Sequence, residues 1–186
     1  MTLSALGIFS AAGAGGAPFS SDYELISTSL ITTNTASIVF DVSTFGSTYK
    51  HLQIRFAGRS TRADQDSAID VKFNTTSTTY RGHFLQGNGS TATSFTAAER
   101  WIFGLAAANA TANIFGSGVI DILDPFSSSK NTTVRTLNGI YTGSYNRVWL
   151  QSLGWFDTAT VTSITLADAF GSFVSGSRFS LYGIKG

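Results

Sequence analysis

The chain offers few residues for acid–base or metal chemistry, and their spacing matches no catalytic motif. It has two histidines, His51 and His83, and no cysteine. A hydrolytic triad or a metal site needs a histidine close to a nucleophile or to carboxylates. The sequence contains no Gly-x-Ser-x-Gly elbow, no His-x-x-x-His pair and no phosphate-binding glycine loop. We therefore expect both histidines to be ordinary polar residues, and we expect no cofactor and no enzymatic activity.

Three aspartates, Asp64, Asp66 and Asp70, follow Arg59 and Arg62 in a polar stretch. Oxygen ligands two residues apart can begin a calcium-binding loop. Counted from Asp64, the glycine at position six and the acid at position twelve are both missing. The alternative is a solvated loop in which arginines and aspartates form ion pairs, and we expect that rather than a metal site.

Four aromatic residues, Tyr141, Tyr145, Trp149 and Trp155, are close together in the sequence. Aromatic faces stack on sugar rings and short polar side chains add hydrogen bonds, so the four form a candidate glycan platform. Tryptophan in a β-sandwich is also commonly a core residue. Both alternatives stay open for Trp149 and Trp155.

These residues must be positioned by strands, because period-two alternation recurs along the chain. In residues 48–60, Leu52, Ile54 and Phe56 alternate with polar residues, which predicts a central strand with one buried face. Similar runs, some of them weaker or shorter, occupy residues 23–28, 38–42, 68–73, 80–86, 101–103, 114–123, 133–141, 148–156, 161–166 and 179–185.

About ten strands separated by Gly, Asn, Ser and Thr predict an all-β fold, an antiparallel β-sandwich of jelly-roll-like type. Residues 97–100 and 106–110 are the only stretches whose composition is compatible with helical turns. We expect one β-sandwich domain over residues 22–186, preceded by a separate N-terminal segment over residues 1–21.

Amino-acid composition limits which kinds of partner this protein can bind. Hydrophobic residues make up 42% of the 186 residues and charged residues only 12%, which suits a protein packed against neighbours. The net charge is +1 and no basic residue precedes Lys50, which disfavours nucleic-acid binding and a signal peptide. No run approaches the roughly 20 apolar residues of a membrane span, so no membrane insertion is expected.

The N-terminal segment differs from the rest of the chain because it is rich in glycine and alanine but carries large apolar residues, namely Leu6, Ile8, Phe9 and Phe19. One interpretation is a loose terminal tail. The other is an extended docking arm that orders when these four side chains enter a groove on another subunit. We favour the arm, because a solvated tail has no use for exposed apolar groups.

Several stretches together resemble a family of small virion proteins of tailed bacteriophages, many from aquatic and cyanobacterial hosts. The stretches are residues 4–9, 23–28, 48–55, 111–116, 119–124, 161–166 and 180–186. The resemblance extends over nearly all of the chain after Tyr23 and includes residues 4–9, and no catalytic residue comes with it.

The resemblance implies a structural protein made in the bacterial host cytoplasm and located in the virion. We expect an outer capsid decoration (cement) protein that binds the major capsid protein. The alternative is a tail-fibre or tail-tip module that contacts tail or baseplate proteins and recognises a host-surface glycan. The chain lacks the heptads or repeats of a long fibre shaft, which favours decoration. Either role suggests a homo-oligomer, most simply a homotrimer.

Overall fold

The computed structural model describes residues 21–97 and 100–186, and within them every regular element is a β-strand. The predicted all-β antiparallel fold is confirmed. The strands are β1 (Tyr23–Leu30), β2 (Ser37–Asp41), β3 (His51–Gly58), β4 (Asp66–Phe73), β5 (Tyr80–Gly87), β6 (Ala92–Ala97), β7 (Trp101–Ala106), β8 (Gly116–Leu123), β9 (Thr132–Tyr141), β10 (Asn146–Trp155), β11 (Ser163–Asp168) and β12 (Arg178–Ile184).

The strands form two sheets. The large sheet has eight strands in the order β1-β12-β3-β8-β9-β10-β5-β6, and the small sheet has four in the order β2-β11-β4-β7. Every neighbouring pair is antiparallel. The two sheets pack face to face, which makes the fold the predicted β-sandwich.

The connections follow a jelly-roll pattern. Four consecutive strand pairs, β1–β2, β3–β4, β7–β8 and β11–β12, each cross from one sheet to the other. Their order is the same in both sheets, so the pairs lie side by side as antiparallel ribbons wrapped around one core. The two hairpins that remain, β9–β10 and β5–β6, extend the large sheet past β7, the edge strand of the small sheet.

The core lies between the sheets because each strand buries the side chains of one face. In β3, Leu52 and Ile54 are fully buried and Phe56 nearly so, as the alternation predicts. They pack with residues of the small sheet such as Ile69 and Leu166. Strand β3 is third in the eight-stranded sheet and begins at His51, three residues later than predicted.

A buried glutamine joins the extension to the small sheet. The Gln151 side chain accepts a hydrogen bond from the Phe103 backbone N–H (3.1 Å) and donates one to the Trp101 carbonyl (3.1 Å). These are backbone groups of β7, whose outer side has no strand neighbour in the small sheet. The amide of Gln151 therefore satisfies an edge that a further strand would otherwise pair with.

Two local features differ from what the sequence indicated. Strand β6 was not predicted, because Ala92–Ala97 contains one large apolar residue, Phe95, and therefore shows no alternation; Phe95 stacks on Phe84 of β5 at 4.8 Å. Residues 106–110 form a strand end and a turn instead of a helical turn, and the Arg59 guanidinium donates to the carbonyls of Ala108 and Ala110 there. The other predicted helical turn includes residues 98 and 99, which lie outside the described part.

Candidate functional site: the outer face of the large sheet

The two histidines do not meet. His51 lies at the start of β3, where its Nδ1 accepts a hydrogen bond from the Asp124 backbone N–H (3.1 Å). His83 is exposed in the middle of β5, four strands away in the large sheet. Within residues 21–97 and 100–186, no group of three or more metal-binding side chains is gathered.

The aspartates of the predicted solvated loop have separate partners. Asp64 pairs with Arg62 at 2.9 Å, as expected for a surface ion pair. Asp66 accepts a hydrogen bond from the Tyr145 hydroxyl (2.7 Å), and burial raises the pKa of its carboxyl. Asp70 is buried within β4 and binds the Arg100 guanidinium. The prediction of a solvated loop is thus correct for Asp64 and wrong for Asp70.

The proposed glycan platform does not form as predicted. Trp149 and Trp155 are 2% and 1% exposed, so both are core residues and neither offers a face to a sugar. They point inward because they occupy the alternate positions of β10 whose side chains face the core. Trp149 stacks on Phe103 at 5.9 Å, and Trp155 packs against Phe73 at 5.6 Å.

The two tyrosines of the platform also differ from each other. Tyr145 is half-buried in the turn before β10 and uses its hydroxyl to bind Asp66. Tyr141, at the end of β9, is 74% exposed, and it is the member of the four whose ring is free for a ligand. The candidate docking-arm residues Leu6, Ile8, Phe9 and Phe19 lie outside the described residues.

A surface that the sequence reading missed lies on the outer face of the large sheet, the face turned away from the small sheet. Strand pairing places Val119, Leu137, Leu150 and Leu85 directly side by side on β8, β9, β10 and β5. We call these four residues the apolar row. Leu137, Leu150 and Leu85 are 58%, 52% and 49% exposed, and Val119 is half-buried.

The apolar row continues on one side into an uneven surface. Val148 of β10, also about half-exposed, lies one step further along between Gly139 and Gly87. Because these glycines lack side chains, the face has shallow depressions there, one of about 610 Å³ that reaches Tyr141. A second depression, of about 620 Å³, lies beyond Ser152 on the other side. The face therefore has a ridge with open troughs beside it.

Charge on this face has one predominant sign. Because side chains alternate along a strand, four arginines and one carboxylate, Asp121, face outward from the large-sheet strands. Four positive charges and one negative charge give this face a formal charge of +3. The whole chain carries +1, so the rest of the molecule is slightly acidic. The guanidinium of Arg55 lies over the rings of Tyr23 and Tyr182, at 5.5 and 5.6 Å from their centroids. The four arginines are Arg55, Arg81, Arg135 and Arg178.

The sequence contained a sign of the apolar row. Buried and exposed positions are both apolar where the row crosses β8 and β10, at Val119-Ile120 and at Val148-Trp149-Leu150. Such runs depart from the strict alternation of a strand with one solvated face. They indicate an outer surface that is not simply solvated.

Comparison with known proteins identified no relative. No family model matches the chain, and neither a curated protein nor a solved structure matches it. Within the described residues, no helix is long and apolar enough to cross a membrane. The resemblance to phage virion proteins therefore stays a prediction that rests on the quoted stretches.

Proposed function

We propose that this protein is a non-enzymatic structural component of a bacteriophage virion, an outer capsid decoration protein that binds neighbouring capsid subunits. The observation that carries the proposal is the apolar row on the outer face of the large sheet. Three leucines about half-exposed and adjacent on one flat face are unusual for a solvated surface, and such patches mark contact sites.

The fold is compatible with this role. Double-sheet jelly rolls are used in viral capsid proteins and in lectins, and they leave broad sheet faces for contacts with neighbours. A fold alone does not define a function, so the proposal depends on the surface. Here the outer face joins an apolar ridge to peripheral arginines, the arrangement of a protein interface with an apolar centre and a polar rim.

Burial of the candidate tryptophans favours assembly over sugar recognition. A glycan site built on stacking needs exposed aromatic rings, and Trp149 and Trp155 provide none. The partners in the proposal are other virion proteins, first the major capsid protein. The protein would act as a homo-oligomer, most simply a homotrimer, because repeated weak contacts add up on a symmetric particle.

The experiment that tests the role is binding to particles. Purified protein is added at increasing concentration to phage particles that lack it, and bound protein is measured after sedimentation of the particles. We expect uptake that saturates at a fixed ratio to the major capsid protein. Uptake that never saturates, or no uptake, would contradict the decoration role.

A tail-fibre or tail-tip module is the second candidate, and one observation favours it. Tyr141 is 74% exposed beside the depression of about 610 Å³, which is also lined by Asn146 and Arg147. An exposed aromatic ring beside a side-chain amide can bind a sugar. Glycan-array binding that Tyr141→Ala removes would support this candidate, and an array without a hit would exclude it.

A further inference from the structure

The apolar row is too small to be the whole of a stable dimer interface. Leu137, Leu150 and Leu85 of the row and the neighbouring Val148 are each about half-exposed, so together they present roughly 400 Å² of surface, within the range of functional patches on monomers. A standard interface buries about 800 Å² on each partner. The patch is better matched to an extended segment than to a second sheet.

Charge also argues against face-to-face packing of two copies. A two-fold contact would place the same surface on both sides, so the outward arginines of one copy would meet those of the other. With a formal +3 on each face, this contact would be repulsive. Residues 1–21 contain no charged side chain, so they can cover the row without this repulsion.

The chemistry of this N-terminal segment fits the surface. Leu6, Ile8 and Phe9 supply large apolar side chains that match the exposed leucines of the row. Residues 11–17 are all alanine or glycine, and such small residues can approach the glycine-lined troughs closely. Burying three such side chains contributes about 1.5–3 kcal/mol each, before the cost of ordering the segment.

The segment is long enough to reach the row. The chain enters the large sheet at Tyr23, in the edge strand β1. Strands β9 and β10 lie four and five positions away from β1, or about 19 to 24 Å at about 4.8 Å per strand. Residues 10–21 alone span up to about 40 Å when extended.

We propose that residues 3–19 of one copy lie along the apolar row of a neighbouring copy, with Leu6, Ile8 and Phe9 against Leu137, Leu150 and Leu85. The inference rests on the proposed homo-oligomer, whose copies must contact one another. Each copy then donates a segment and receives one through different surfaces. Such head-to-tail contacts close into a ring when the rotation between neighbouring copies permits it. A ring of three copies is the expected homotrimer.

Disulfide cross-linking in the full chain tests the proposal, because the protein has no native cysteine. Ser10→Cys is made in one preparation and Ser152→Cys, beside the row on the outer face, in another. The two are mixed and oxidised, and covalent dimers are measured on non-reducing gels. We expect the mixed dimer to form at least tenfold faster than the dimer of Ser10→Cys with Ser37→Cys. Ser37 is an exposed serine on β2 of the small sheet.

A second substitution shows whether the row itself is responsible. In the Ser152→Cys background, Leu150→Lys should remove the cross-link, whereas Val39→Lys, at an exposed valine of β2, should leave it unchanged. Equal cross-linking to residues 152 and 37, no cross-linking, or a bond formed only within a Ser10→Cys/Ser152→Cys double variant would overturn the proposal. If saturable particle uptake persists in any of those cases, the decoration role stands without this contact.

Discussion

Tyr80 connects the end of β4 to the start of β5 through one hydrogen bond inside the core. Its hydroxyl accepts from the Phe73 backbone N–H (2.8 Å), and its ring packs against Phe73 and Trp155. Burial raises the pKa of Tyr80 to about 12, above the ordinary value of 10.0. The buried phenol is therefore favoured in its neutral form, and ionisation at high pH opposes folding.

This pKa shift predicts alkaline sensitivity. Because the folded-state pKa is the higher one, the stabilisation is complete below pH 10 and is lost as pH rises through about 12. The shift corresponds to about 3 kcal/mol in the free energy of unfolding. Urea denaturation at pH 9 to 12 should show this decline, with a smaller slope in Tyr80→Phe. Tyr141→Phe, at an exposed ring, is the matched control, and an unchanged slope in Tyr80→Phe would contradict the account.

Gly116 of β8 lies where this strand approaches Gly104 of β7 closely. A Cβ built at Gly116 would lie 1.8 Å from the Gly104 carbonyl oxygen, and Gly104 has a φ of +121°, where side chains are disfavoured. Gly116→Ala must push β8 away from β7, and we expect a loss of about 3 kcal/mol in unfolding free energy. Chemical denaturation measures the loss.

Gly87→Ala is the control for that substitution. Its Cβ would meet Val148 at 3.5 Å, an ordinary contact, so we expect a change within about 0.5 kcal/mol. Equal stability of the Gly116 and Gly87 variants would show that the close packing of β7 and β8 is not needed.

At the level of single residues, the sequence predicted burial better than it predicted partners. Leu52, Ile54 and Phe56 are buried as their alternation required. The contacts of Arg59 and Asp70 were not predictable, because they join residues that are adjacent only after the strands pair. The glycan platform failed on burial instead, because proximity in sequence did not reveal that the side chains of Trp149 and Trp155 face the core.

Side-chain hydrogen bonds satisfy the backbone groups at the free edge of β7. Gln151 on β10 binds the Phe103 N–H and the Trp101 carbonyl, and Thr136 and Asn138 donate to the same amide oxygen at 3.2 and 3.0 Å. This buried network fixes the β9–β10 hairpin against the small sheet. It also holds the strands that carry the central part of the apolar row.

Removal of this amide should therefore be costly. Gln151→Ala leaves two partly buried backbone groups of β7 without their side-chain partner, and we expect a loss of about 3 kcal/mol in unfolding free energy. The same substitution should also speed hydrogen exchange at the Phe103 amide. Ser152→Ala, the next residue and on the opposite face, should change stability by less than about 0.5 kcal/mol. Slow exchange at Phe103 in Gln151→Ala would show that another group satisfies the edge.

Strand positions were mostly predictable, but strand order was not. Eleven of the twelve strands coincide with predicted runs, allowing for displaced ends such as β11, which begins at Ser163 instead of residue 161. Pairing between β1 and β12 joins residues about 150 positions apart, and no local pattern specifies such a contact. The jelly-roll class followed from strand number and spacing, whereas the four-strand extension did not.

For the whole molecule, the distribution of charge and apolar surface separates two sides. The outer face of the large sheet is basic and carries the apolar row, whereas two of the carboxylates on the small-sheet strands, Asp70 and Asp168, are buried. This asymmetry suits a subunit that turns one face toward neighbouring protein. The burial of most large aromatics leaves the row as the main exposed apolar feature of the large sheet.

The central claim is that this protein works by contacts with neighbouring protein subunits through the outer face of its large sheet. Its most direct test compares Leu150→Lys with Val39→Lys for uptake onto phage particles that lack the protein. Both changes are at exposed positions, so both variants should fold with unchanged unfolding free energy. We predict that Leu150→Lys lowers uptake at least tenfold and that Val39→Lys binds like the wild type. Equal, saturable uptake of both variants would contradict the claim.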